Sequence, residues 1–281
     1  MLSSKDLTQT IKAIDALGAT PAVLVKVAEL AKDPNTALED ISALLRNDGL
    51  LVAEIIRLCN SPYYAPATYL SNLSSAINFI GFKEVIRLVN LSLSLRIFAR
   101  DLPSYGISAQ DYWSASIAAG LLMEALAKKS GFDPEDAFTI GNLHAIGRVL
   151  IDRVIEERRF TVYWDRCQPI ETWEKSSVGF DYAEAGAALL EHWIFPPPAC
   201  DIIRGQLNPE KVAHQVCLLG ALQFTLRVLA RTGWDFKRID GELPEADPYM
   251  EAAGLTTPQL AELIAGCRND FQLVHQAVDM D

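Results

Sequence analysis

The chain has 281 residues, half of them hydrophobic, enough for one large domain or two lobes with an extensive core, and this excludes a disordered chain. A formal net charge of −11, from 36 acidic and 25 basic residues, opposes the counterion release behind most nucleic-acid binding. Five scattered cysteines, Cys59, Cys167, Cys200, Cys217 and Cys267, have no C-x-x-C spacing and read as reduced cytoplasmic thiols, neither a disulfide framework nor a zinc knuckle.

Apolar residues recur at three- and four-residue spacing nearly everywhere, and alternating β-branched runs are scarce, so the predicted class is all-α. Lys5, Asp6, Lys12 and Asp15 interrupt the first fifteen residues, leaving no signal-peptide core. The longest apolar runs, such as Ile117 to Leu122, are too short to span a bilayer, so a soluble protein without a membrane partner is expected.

Thr36 to Glu39 has the form of a capping box ahead of Ile41, Leu44 and Leu45. Leu38 to Asn60 superficially resembles a helix-turn-helix with Asn47-Asp48-Gly49 as its turn. Its second helix, Leu50 to Leu58, carries Arg57 as its one base and also Glu54, a poor composition for the major groove, so no nucleic-acid partner is expected. Asn60-Ser61-Pro62-Tyr63-Tyr64 must stop a helix, because Pro62 disfavours the helical conformation at Ser61. Asn60 can then bond free carbonyls or loop amides as a polar clip. The alternative is a recognition surface built on Tyr63 and Tyr64, with Tyr69 nearby in sequence.

A strongly helical stretch from Phe82 to Phe98 is broken over Arg100 to Ile107 by Asp101, Pro103, Ser104 and Gly106, which predicts two lobes, 1–105 and 106–281. Ser108 to Asp111 starts a long helix that Gly131 ends, and Asp181 to Glu184 starts another. Gly141-Asn142-Leu143-His144-Ala145-Ile146-Gly147-Arg148 is expected inside an apolar helix running to about Val154. Two glycines there cost about 1 kcal/mol each relative to alanine, so another helix or a ligand should approach closely. His192 and Trp193 precede Pro196-Pro197-Pro198 and predict a helix end turning into a rigid proline segment. Thr232 to Asp247 reads as a surface loop, and Thr257-Pro258 starts the last helix. His214 and His275 fall on separate helices, and no Ser-His-Asp, Cys-His, phosphate-loop or H-E-x-x-H arrangement occurs.

Several of these stretches, taken in order, carry a family resemblance. Asn60-Ser61 with Tyr64, Ile77 to Gly81, Trp113-Ser114-Ala115-Ser116, Gly141 to Gly147, Gly179-Phe180-Asp181-Tyr182 and Gly186, Leu190 and Trp193 to Pro196 together resemble the HD-related output domain (HDOD) family over roughly residues 10 to 230. The resemblance implies a two-lobed helical bundle whose second lobe is related to HD phosphohydrolases, enzymes that hold divalent metal with histidines and a His-Asp pair. Carried over by position, it puts Ala115 where a histidine is required, His144-Ala145 at the His-Asp pair, and Tyr182 at a later histidine. The last aspartate would fall near Gly220 or Ala221.

A methyl group neither coordinates a cation nor orients a water, and His144 with one carboxylate underfills a site, even with Asp181 or Glu184 turned inward. These positions therefore imply a pseudo-enzyme of bacterial regulatory type, without metal or other cofactor. The leading expectation is signal transduction through protein–protein contacts, with Asn60, Ser61, Tyr63 and Tyr64 as partner contacts. Since the chain carries no fused sensory domain, the partner is expected to be a signalling protein engaged in trans. The second expectation is a nucleotide or cyclic dinucleotide in the vestigial cleft, with Arg148, Arg153 or Arg204 supplying charge against a bland reading as solvated helix faces. Residual metal-dependent phosphohydrolysis ranks last.

Overall fold

The computed structural model describes residues 48–61, 64–208, 216–233, 243, 244 and 246–278, together with 11, 26, 30 and 43–45. Among them there is no strand, only an isolated bridge between Leu102 and Ile107, so the chain is all-α. The capping signal at Thr36 to Glu39, Tyr63, His214 and most of the loop expected over Thr232 to Asp247 lie outside the described residues.

The chain divides into two compact units. One comprises Ala19–Ile97 and Gln272–Asp281, the other Met1–Gly18 and Phe98–Phe271. The change of unit at Phe98 lies a few residues before the boundary expected at 105.

In the first unit, Asp48 caps α1 (Gly49–Cys59) by accepting from the Leu51 N–H at 2.9 Å, and Asn72 caps α2 (Leu73–Ile80) through Ser75 N–H at 2.9 Å. Leu51, Ile55 and Leu58 of α1 and Ala76 and Ile77 of α2 are buried, as are Val85, Leu88 and Val89 of α3 (Phe82–Phe98). Arg96 near the end of α3 pairs with Asp48 at 2.7 Å, joining α3 to the start of α1.

In the second unit, a 3₁₀ turn at Pro103–Tyr105 closes on Gly106 in the left-handed region and leads to Ser108, which caps α4 (Ala109–Ser130). Nearly every residue of α4 from Tyr112 to Met123 is buried, as expected of a central helix surrounded by others. α5 (Pro134–Leu143), capped by Asp133, packs along α4. α6 (Gly147–Glu157), α7 (Ile170–Val178), α8 (Tyr182–His192), α9 (Pro197–Gly205) and α10 (Leu218–Thr232) follow, with α8 lying against both α6 and α9 and α10 against α4. The capping box expected at α8 is present, with Asp181 and Glu184 each bonding the other's backbone N–H. α11 (Pro248–Ala253) and α12 (Thr257–Val278) complete the chain, α12 passing to the first unit at Gln272.

Two local expectations need correction. The helix predicted to run through His144 to Val154 is broken. α5 stops at Leu143, and His144-Ala145-Ile146 turns on i−3 bonds such as Ile146 N–H to Leu143 O at 3.1 Å before α6 begins at Gly147. The prolines after Trp193 do not form an extended segment either. Pro197 and Pro198 open α9, where their missing N–H groups cost nothing, and the chain turns through Ile194 at φ +63°.

Candidate functional site

The break between α5 and α6 builds the centre of the second unit. It leaves the His144 carbonyl to a side chain, Gln206 Nε2, which donates to it at 2.8 Å, while Ala145 O accepts from the Arg148 N–H at 2.9 Å and also from the Tyr112 hydroxyl at 2.6 Å. His144 uses Nδ1 on Gly141 O at 2.7 Å. Burial pushes its pKa down to about 4, with the nearby Arg148 charge acting in the same direction, so the ring is neutral.

Both glycines of this stretch sit at helix crossings. A Cβ on Gly141 would lie 2.6 Å from Ala119 O on α4, and one on Gly147 2.0 Å from Tyr182 O at the start of α8. The close approach expected from two glycines is thus made by backbone of neighbouring helices.

Tyr182, 4% exposed, fills the space beside this crossing, and the Arg148 guanidinium lies 4.4 Å from its ring centroid. Tyr182 N–H donates to Glu174 Oε2 at 2.8 Å, and the Tyr105 hydroxyl donates to Glu174 Oε1 at 2.9 Å. Glu174 is fully buried on α7, beside Trp173, whose ring meets Tyr105 edge-on at 5.1 Å. Burial raises its pKa to about 7 against the lowering effects of Arg148 and the two hydrogen bonds. Burial likewise lifts Tyr182 to about 12 and raises Tyr112 and Tyr105. Burial opposes the charge of Arg148, but Tyr182, Glu174 and the other tyrosines outweigh this and hold its pKa above the ordinary arginine value.

His144, Ala145, Arg148 and Tyr182 are therefore brought into one cluster, with Ala115 half-buried one turn along α4 from Tyr112. Sequence reasoning missed Tyr105, Tyr112, Glu174 and Gln206, which bind the cluster together. Glu174 offered a faint signal, an acid next to a tryptophan in a short helix, but its burial depends on the distant 3₁₀ turn. Arg153 and Arg204 lie outside the cluster as ion-paired helix-face residues, with Glu156 at 3.1 Å and Glu191 at 2.7 Å.

A divalent metal does not suit these residues. Ala115 and Ala145 end in methyl groups, Gly220 and Ala221 on α10 offer no side-chain donor, and Tyr182 presents a neutral phenol. Asp181 and Glu184 are spent on the cap of α8, and Asp181 also pairs with Lys175 at 2.8 Å. Among the described residues, no three His, Cys, Asp or Glu side chains are placed to hold an ion together.

The remaining candidates belong to the first unit. Asn60 acts as a clip, its Nδ2 donating to Ile56 O and Leu70 O at 2.8 and 2.9 Å while its Oδ1 accepts from Leu70 N–H at 2.9 Å. Ser61 is buried, and the Tyr64 hydroxyl bonds Glu84. Tyr64 also borders an apolar recess with Leu58, Leu88, Leu91, Val274 and Val278. Of the three tyrosines considered, Tyr69 is the one seen to stand in solvent, 77% exposed.

Residues 17–209, more than half the chain, match the HDOD domain family. The chain belongs to the HDOD family. Three relatives illustrate its surroundings. An HDOD protein of unknown function from Geobacter sulfurreducens superimposes with a TM-score of 0.69 at 20% identity, covering 98% of this chain and 99% of its own. A protein from Shewanella amazonensis, provisionally named a phosphohydrolase, gives 0.67 at 22% identity over 98% of both chains. An uncharacterised protein from Treponema pallidum (strain Nichols) is 26% identical over 240 residues, 82% of this chain and 44% of its own. The HDOD chain thus spans under half the length of that curated relative. At these identities the solved structures establish the HDOD fold alone. No helix among the described residues is long and apolar enough to cross a membrane.

Proposed function

We propose that this HDOD chain is a non-catalytic regulatory protein that acts through contacts with other proteins. What supports this reading is the chemistry at the positions that the HDOD resemblance matches to HD metal ligands: methyl groups at Ala115 and Ala145, a buried phenol at Tyr182, and a neutral His144 bonded to Gly141. Hydrolysis of a phosphate ester by a metal-bound water needs a filled donor set, and these side chains fill the space with packing. The provisional name of a signal transduction protein given to a Marinobacter aquaeolei relative (TM-score 0.68, 19% identity) agrees with a regulatory role. Five free thiols, three of them buried, support a reducing compartment such as the cytoplasm.

Docking requires exposed apolar anchors, and the best placed are Tyr69 in the first unit and Ile194 in the second, 77% and 80% exposed. Ile194 is also a β-branched residue held at φ +63°, a conformation that disfavours such side chains and needs a reason to persist. Complementation of a deletion strain tests the reading. Tyr69→Ser and Ile194→Ser remove no buried contact, so both variants should fold with wild-type stability yet lose regulatory output. Full complementation by the double variant would contradict docking through these anchors.

A further inference from the structure

The loop between α6 and α7 holds two aromatic rings in water on an anchored backbone. Phe160 is 41% and Tyr163 66% exposed. The segment is pinned at several points: Phe160 N–H donates to Ile155 O at 3.0 Å, Trp164 N–H to Ser104 O at 2.8 Å, Trp164 Nε1 to Gln168 O at 3.0 Å and Cys167 N–H to Asp165 Oδ1 at 2.9 Å. A pinned loop that still keeps large apolar rings in water has the character of a contact surface.

An arginine in the left-handed region bounds this aromatic stretch on each side, Arg159 at φ +55° and Arg166 at φ +65°. Arg159 stands just past the end of α6, where glycine is the usual residue. Side chains kept at two such positions, against a conformational cost, point to a use for the guanidinium groups. Other arginines of this unit hold carboxylates: Arg100 holds Asp152 at 2.7 Å, Arg153 holds Glu156 at 3.1 Å and Arg204 holds Glu191 at 2.7 Å. Among the described residues, Arg159 and Arg166 hold none, and both are exposed. The Arg166 guanidinium lies over the Trp164 ring, 5.8 Å from its centroid.

The neighbouring charges select the partner. Glu156 is held by Arg100 and Arg153, and Asp165 is turned onto the Cys167 N–H, while Glu157 is exposed. Two guanidinium groups beside Glu157 and Asp165, in a chain of net charge −11, do not attract the dense charge of a nucleic acid or an anionic membrane. They match a few spaced carboxylates, each taken by a guanidinium fork, with apolar side chains packed on the rings between them.

We propose that this loop is a docking surface for an acidic segment of a partner protein, one that carries apolar or aromatic side chains between its carboxylates. This rests on the reading of the chain as a protein-docking module, and it adds to Tyr69 and Ile194 a surface of defined chemistry.

Random peptides displayed on phage and panned against the full chain supply the probe. Enriched sequences should combine several Asp or Glu residues with an aromatic or aliphatic residue, and a labelled peptide of such a sequence should bind less tightly as salt is raised. Arg159→Gly together with Arg166→Gly should weaken binding at least about tenfold, and Tyr163→Ser about threefold or more. Glycine suits both backbone positions, so the double variant should unfold no earlier than the wild type on heating, which separates lost contacts from lost folding. No enrichment of acidic peptides, or wild-type binding by the double glycine variant, would overturn the surface. Tighter binding of an oligothymidylate than of the peptide, with the same response to the loop variants, would overturn the choice of partner. Peptides that respond to Tyr69→Ser or Ile194→Ser and not to the loop variants would remove this surface and leave the docking reading standing.

Discussion

His144 and Glu174 are buried within the same cluster, yet burial moves them toward opposite consequences for pH. His144 stays neutral in the fold down to about pH 4, whereas an unfolded imidazole takes up its proton below about 6.5. The unfolded chain binds more protons in that window, so the contribution of His144 to stability is full above about 6.5 and is lost as the pH falls toward 4. Glu174 keeps its proton up to about pH 7, whereas an ordinary glutamate loses it near 4.5. The native state binds more protons here, so its contribution is full at low pH and is lost as the pH rises toward 7. Each effect amounts to about 3 kcal/mol across its window, and the two oppose each other between about pH 4.5 and 6.5. Glu174→Gln should therefore gain stability with rising pH more steeply than the wild type over this range, and His144→Gln less steeply. Urea midpoints measured across the window check this, and parallel profiles for all three proteins would contradict it. At this scale the sequence disclosed His144, Ala145 and Tyr182 through motif positions. Glu174, Tyr105 and Gln206 stayed hidden because they meet the cluster only after the chain has folded back over tens of residues.

At the scale of elements, the turn at His144-Ala145-Ile146 decides how α4, α5, α6 and α8 meet. The apolar periodicity on both sides of it is continuous, so the sequence predicted one helix. Tertiary partners brace the break: Gln206 satisfies the His144 carbonyl that a continuous helix would have used, and Tyr112 adds a second bond to the Ala145 carbonyl. The caps were legible because their signals are local: Ser108 and Gly131 bound α4, and Asp181 with Glu184 starts α8. The proline run was misread because three prolines suit both an extended segment and a helix start, and φ alone does not separate them. Glycines give this scale its test. Gly147→Ala would drive a Cβ against Tyr182 O, 2.0 Å away, between backbones with no side chain to yield. It should cost about 3 kcal/mol or more, or prevent folding. Gly266 in α12 has nothing within 4 Å of its added Cβ. Gly266→Ala should raise stability by up to about 1 kcal/mol through helix propensity. Thermal unfolding of the two variants compares them directly, and similar shifts would contradict the helix-crossing role of Gly147.

For the whole molecule, composition and periodicity were enough for the helical class, and the collinear motifs were enough for the HDOD family. The sequence placed a boundary at the Asp101-Pro103-Gly106 interruption, whereas the compact units change at Phe98 and again at Gln272, and a helix carries no local mark where its burial changes partner. Family membership leaves open whether the chain performs hydrolysis; the proposal that it does not rests on the donor chemistry at Ala115, His144, Ala145 and Tyr182. The most direct test is turnover of a chromogenic phosphodiester by the full chain with saturating Mn²⁺, alongside His144→Ala. The account expects no turnover above background and no difference between the two proteins. Mn²⁺-dependent turnover by the wild type that His144→Ala abolishes would contradict it.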